Sequence, residues 1–215
     1  MQIDWYVVLG NHDYRGDPEA EIAYSKVSRR WNMPARYYTV VKKTEDGKKI
    51  RLVFIDSNPF LKKYHKDKAD YADLDLQDTT RQKVWLDSVL SVSKEDYKFV
   101  FGHHPVYSSG KKQNSIPEME SALKPIFEKH KITAYISGHD HNMQHQQPAG
   151  GIDYFISGAG SEAEVKEHAA SGKDYTKFFM ATLGFAWVSI KGNMMKFYFI
   201  DKNCNVVYSY QRKID

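Results

Sequence analysis

Apolar positions along this chain follow two periods, and the changes between them mark its elements. Short continuous apolar runs at residues 5–9, 37–41, 50–55, 97–101 and 132–137 have the length and composition of buried strands. The turn Glu45-Asp46-Gly47 joins the second and third of these into a hairpin. Helical spacing appears between them. Asp17 is placed as an N-cap with Pro18 at the first helical position, and Ile22, Ala23, Val27 and Trp31 then share one face. A second helix from about Thr80 would bury Val84, Trp85, Val89 and Leu90, and a third spans roughly 117–130. Residues 57–79 are polar, carry Asp67, Asp70, Asp73, Asp75 and Asp78, and read as a long surface loop. Beyond residue 150 the pattern is strands only, at 152–156, 185–190, 195–200 and 206–210, with turns such as Lys191-Gly192-Asn193 between antiparallel neighbours. Strands alternating with helices predict an α/β fold.

Composition narrows the function classes. A chain of 215 residues with 41% apolar residues can bury a core of ordinary size, and a single domain over 1–215 is expected. No apolar run reaches the length of a membrane span. Cys204 is the one cysteine, so no internal disulfide forms. The net charge of +4 is spread along the sequence. The pairs Lys42-Lys43, Lys48-Lys49 and Lys62-Lys63 read as solvated surface, so neither nucleic acid nor membrane is an expected partner. The sequence runs from Met1 almost directly into the first strand, with no leader before it.

The candidate chemistry lies in the histidines. Five of the nine fall in three short segments, His12, His103-His104 and His139 with His141. Each segment opens with glycine and follows a predicted strand. In open α/β sheets the loops beyond strand carboxyl ends converge on the ligand site. Imidazole is a good ligand for zinc, iron and manganese, and the Asn11 amide oxygen can join it. In His139-x-His141, alternate positions of an extended segment share a face.

The ordered set Gly-Asn-His-Asp (10–13), Gly-His-His-Pro (102–105) and Gly-His-Asp-His (138–141) resembles the later motifs of the calcineurin-like metallophosphoesterases. More narrowly, the stretch 22–32 resembles the small purple acid phosphatases of the tartrate-resistant type. So do Trp5-Tyr6-Val7-Val8, Thr133-Ala134-Tyr135-Ile136-Ser137, Ser157-Gly158-Ala159-Gly160 and Gly184-Phe185-Ala186-Trp187-Val188. The resemblance implies a sandwich of two mixed β-sheets flanked by helices, here without its N-terminal strands and so the C-terminal two-thirds of the domain. It implies hydrolysis of phosphate monoesters at a dinuclear centre, iron paired with iron, zinc or manganese, where a metal-activated hydroxide attacks. Asn11, His103 and His139 would bind the divalent ion and His141 the ferric one. Asn11 and His12 would contact the substrate phosphate, and His12 would protonate the leaving group. Asp13 either orients His12 or is a turn carboxylate. His104 stands where an aromatic residue is usual in the family and either reaches the phosphate or, the preferred reading, is a packed or solvent-facing histidine. Asp56 reads as a turn cap. The loop 108–116 lacks histidines that relatives place near the substrate, which leaves specificity open between monoesters and the diesters or nucleotides used elsewhere in the superfamily.

The resemblance also defines what is missing. An early ferric-binding Asp and a Gly-Asp-x-x-Tyr segment with the bridging carboxylate belong before Gly10. A ferric ion held by one imidazole would not persist, because hard ions need oxygen ligands. The expectation is therefore one metal ion or none in this chain alone, low activity, and self-association or a second chain covering the absent strands; a non-catalytic fragment is the competing reading. Export, whether periplasmic, secreted or lysosomal, is implied by the resemblance only.

Overall fold

The computed structural model describes residues 3–110, 116–164 and 174–214. The chain opens with β1 (Trp5–Tyr6), β2 (Trp31–Asn32) pairing with it in parallel, and helix α1 (Pro18–Tyr24) between them. The strand expected over residues 5–9 is thus only two residues long. Trp5 is more than half exposed and Leu9 alone of the run is buried. Beyond Tyr6 the Val7 N–H is shared between the Asn32 carbonyl at 3.4 Å and the Tyr38 hydroxyl at 2.8 Å, and the Val7 carbonyl turns to the same hydroxyl at 2.9 Å. Asp17 caps α1 as expected, accepting the Glu19 N–H at 2.9 Å. The helical face ends sooner than predicted: Val27 is solvent-exposed, and Trp31 folds back as a strand residue with its indole N–H on the Glu21 carbonyl.

β3 (Tyr38–Lys43) and β4 (Lys49–Phe54) form the expected hairpin. The stretch predicted as a surface loop is instead built on helix α2 (Lys62–Lys66) and two 3-10 turns, Asn58–Phe60 and Ala72–Leu76. It buries Leu61, Tyr64, Tyr71 and Leu74, about one large side chain per turn, a spacing with no regular period to read. α3 (Thr79–Ser91) begins on the cap Asp78 and buries Gln82, Leu86 and Leu90, leaving Val84 exposed. Gln82 occupies an inward position because its amide exchanges two hydrogen bonds, both 3.0 Å, with the backbone of Asp56.

Next come β5 (Tyr97–Phe101), α4 (Ile116–His130), β6 (Ala134–Ser137), β7 (Met143–Gln146), β8 (Asp153–Ser157) and β9 (Thr176–Met180). β3 to β9 form one seven-stranded mixed sheet, ordered β3-β4-β5-β6-β8-β7-β9, with β4, β5, β6 and β8 mutually parallel. The chain closes on β10 (Gly184–Lys191), β11 (Met194–Asp201) and β12 (Val206–Lys213), a three-stranded sheet. The α/β sandwich is therefore present, and its smaller sheet is antiparallel throughout.

Two cores hold the layers. One lies between the helices and the large sheet and includes Leu86, Leu123, Phe127 and Tyr135. The other lies between the sheets, where Phe155 stacks on Phe197 at 3.6 Å between ring centroids. A buried polar tie crosses the same interface: His145 bonds the Tyr208 hydroxyl and Asp153, and Asp153 pairs with Arg212 of β12. Beside it the sandwich is open. A cavity of about 390 Å³ is lined by Leu52, Phe101 and Ile136 of the large sheet and by Ala186, Val188 and Ile190 of β10, which pairs on one side only among the described residues. No helix among the described residues is long and apolar enough to cross a membrane.

Candidate metal centre

Three loops meet at the carboxyl ends of the central elements, after Leu9, β5 and β6. The last two are tied to each other by the backbone, since the Gly138 N–H donates to the His103 carbonyl at 3.0 Å. The first loop is held from below. Asn58 donates its amide to the Leu9 carbonyl at 3.1 Å, and Asp13 accepts the Gly10 N–H at 2.7 Å. Asp13 is thus engaged as a turn carboxylate. The Tyr14 hydroxyl donates to the carboxylate of Asp56, while Arg36 donates to the same hydroxyl at 2.8 Å. Burial, reinforced by Asp56, pushes the Tyr14 phenol well above its ordinary range, so it stays protonated and remains a donor. Asp56 also accepts the Asn58 N–H two residues on, at 3.1 Å, the turn-capping role expected of it.

The side chains converge. Asn11 Oδ1 lies 2.9 Å from His103 Nε2, and His103 Nε2 lies 3.0 Å from His139 Nδ1. Gly10 permits this, because a Cβ there would sit 3.0 Å from His103 Nδ1. His139 takes a left-handed backbone, φ 66°, which only a few per cent of non-glycine residues adopt. The following residue anchors it: Asp140 is fully buried and accepts the Ser108 hydroxyl, and the Gln144 amide donates to Ser108 at 3.1 Å. Gly158 completes the anchor, since a Cβ there would overlap the Asp140 carbonyl.

The donor set fits one small divalent ion. Two ligands about 2.0–2.1 Å from a tetrahedral ion stand roughly 3.3 Å apart, and the observed separations fall within a few tenths of an ångström of that. His104 lies beside the group, with His103 and His139, but its chemistry differs. It is fully buried, with Nδ1 2.9 Å from the Ser57 hydroxyl and Nε2 2.9 Å from the Tyr64 hydroxyl. Both ring nitrogens are spoken for, and His104 is the packed histidine of the two alternatives. His141 is half-buried in the same turn as His139, with Nδ1 3.3 Å from Glu162. His12 is exposed at the rim, Nδ1 3.4 Å from an Arg15 nitrogen.

Beside Asn11 and His139 opens a cleft of about 460 Å³, whose other walls are Arg15, Lys63, Tyr64, Asp67 and Tyr71. Four of these five come from the stretch predicted as a surface loop, and sequence reading missed them. Residues 111–115 of the loop 108–116 lie outside the described residues.

The chain belongs to the calcineurin-like phosphoesterase family, whose pattern matches residues 1–143. Its curated relatives include human tartrate-resistant acid phosphatase type 5, 31% identical over 214 residues, covering 93% of this chain and 64% of that one. Purple acid phosphatase 4 of Arabidopsis thaliana is 33% identical over 221 residues, covering 98% and 62%. The chain spans just under two-thirds of the length of these relatives. Among solved structures, GAP50, the anchor in the inner membrane complex of Plasmodium, superposes over all of this chain and 67% of its own, with a TM-score of 0.82 and 22% identity. Purple acid phosphatase PPD1 of yellow lupin does so over 99% and 39%, with a TM-score of 0.66 and 15% identity. Both structures share the fold.

Proposed function

We propose that this chain carries the histidine-rich part of a phosphate monoesterase of the purple acid phosphatase type. The convergence of Asn11, His103 and His139 on one point carries this reading. Those three residues would hold a divalent ion, with iron, zinc and manganese all compatible with the donors. When bound, such an ion neutralises ester charge and lowers the pKa of the attacking water. His141 would serve a ferric neighbour. Asn11, which lines the cleft, and its exposed neighbour His12 would contact the phosphate. His12 would supply a proton to the departing oxygen.

The three motifs bring imidazoles and an amide but no carboxylate ligand, so one ion or none is expected here, and slow turnover. The missing oxygen ligands would come from polypeptide outside these residues, and the open apolar cavity and one-sided β10 mark where a second chain or copy could cover the sandwich. The carboxylate-poor donor set equally favours a second reading, a non-catalytic metal- or phosphate-binding chain. Export follows the acid phosphatase kinship. The test is metal analysis of the purified chain with turnover on 4-nitrophenyl phosphate and bis(4-nitrophenyl) phosphate. The account expects at most one ion and slow monoester cleavage that outpaces the diester. Two tightly held ions with fast turnover would overturn the ligand count, diester preference would move the chain to a phosphodiesterase, and no turnover at all would favour the non-catalytic reading.

A further inference from the structure

The cleft beside Asn11 and His139 has a second end, where two cations meet. Arg15 and Lys63 face it from two separate elements, with the carboxylate of Asp67 on the same wall and that of Asp70 against Arg15. Arg15 is solvent-exposed and engaged by three neighbours. Its Nε lies 3.2 Å from Asp70, another guanidinium nitrogen lies 3.4 Å from His12, and the Tyr71 side chain is hydrogen-bonded to it as well. Lys63 is carried by α2 with its ammonium 4.7 Å from the centre of the Tyr64 ring. That ring is buried, its hydroxyl bonded to buried His104 and its centre 4.6 Å from that of Tyr71. Two cations at one side of a small cleft are suited to an anion. The cleft volume is in the range of small-molecule sites and too small for a folded partner.

We propose that Arg15 and Lys63 form an anion subsite that selects small phosphate monoesters whose leaving group carries a second negative group, a carboxylate or another phosphate. This rests on the reading that the ester phosphate binds at the Asn11–His139 end. In that arrangement the two anionic groups of one molecule span the cleft, and a neutral leaving group leaves the second end solvated. Asp67 limits the preference, since it faces the same anion.

The test uses a pair of non-hydrolysable ligands that differ by one carboxylate, phenylphosphonate and 4-carboxyphenylphosphonate, titrated calorimetrically into the zinc-supplemented full chain. One added charge-assisted hydrogen bond corresponds to about tenfold tighter binding of the carboxylate ligand. Lys63→Met and Arg15→Met should each reduce that ratio to below about threefold, and Asp67→Asn should raise it, a change of opposite sign that a loss of structure would not produce. Lys63→Arg should keep the ratio, which separates charge from packing. Equal affinity for the two ligands, or a ratio unmoved by the Lys63 and Arg15 variants, would overturn the subsite while leaving the phosphate site standing. Failure of both ligands to bind would overturn the phosphate site and the subsite with it.

Discussion

His104 and His103 are adjacent in sequence and their rings sit 4.7 Å apart, yet the structure gives them opposite jobs. Replacing His104 by alanine would strand the Tyr64 hydroxyl, leave Ser57 Oγ with the backbone N–H of residue 104 but without its ring partner, and empty a fully enclosed position. A stranded group costs about 1–3 kcal/mol, and the vacated volume adds to that. A total of about 3–5 kcal/mol is a large share of the roughly 5–15 kcal/mol that holds a domain together. At roughly 2–4 °C per kcal/mol for a chain of this size, His104→Ala should lower the melting midpoint by roughly 10 °C. Its effect on zinc binding to the folded protein should be small. His103→Ala should do the reverse. Its ring is only half-buried, so the midpoint should move by a few degrees at most, but one of three ligands is gone. Replacing even an outer-shell partner of a metal typically costs about 10–100-fold in affinity, so removing a ligand should cost roughly 100-fold or more. Thermal melts and zinc titrations of the two variants side by side are the assay. A His104 variant that keeps its midpoint and loses zinc would refute the division of roles.

Three further expectations follow from other parts of the molecule. Gly10→Ala places a methyl group 3.0 Å from His103 Nδ1, so the ring must shift by a few tenths of an ångström; zinc affinity should fall about tenfold while circular dichroism is unchanged, and an unaltered affinity would contradict the close approach. Phe155→Ala removes a ring stacked between the sheets and should cost about 3–5 kcal/mol in urea unfolding, whereas a loss below 1 kcal/mol would mean that the sheets do not share that core. Burial disfavours the charge of Glu95, but hydrogen bonds from Ser93 and Arg51 outweigh this and hold its carboxyl below the usual range. Because the folded value is the lower one, its contribution is present above the ordinary glutamate pKa of about 4.3 and is lost as pH falls through the folded value. Glu95→Gln should therefore be less stable than the parent near neutrality and converge with it in acid, and a gap that widens below pH 4 would reverse the sign.

Much of the frame was legible in the sequence because its signals are local. Residues 97–101 and 132–137 are apolar runs ending in glycine, and the chain folds them as β5 and β6 with ligand loops beyond. Asn11, His103 and His139 could be grouped for the same reason, each lying just past a strand-end glycine. What escaped was decided by distant partners. β7 reads as polar, Met143-Gln144-His145-Gln146, and is fully buried only because Ser108, Ser109, Thr176 and Asp153 satisfy its amides and imidazole. The burial of His104 depends on Ser57 and Tyr64, 47 and 40 residues away. The cleft wall on α2 was hidden because its buried residues keep no single period through three short helical turns.

The account stands on three side chains sharing one ion. The direct measurement is a zinc titration of the purified, chelator-treated chain by calorimetry, with Asn11→Ala, His103→Ala, His139→Ala and His141→Ala alongside. One ion per chain, lost or weakened at least 100-fold in the first three variants and kept in His141→Ala, is the predicted outcome. Two ions per chain, or a bound ion that depends on His141 and is indifferent to His103, would contradict it.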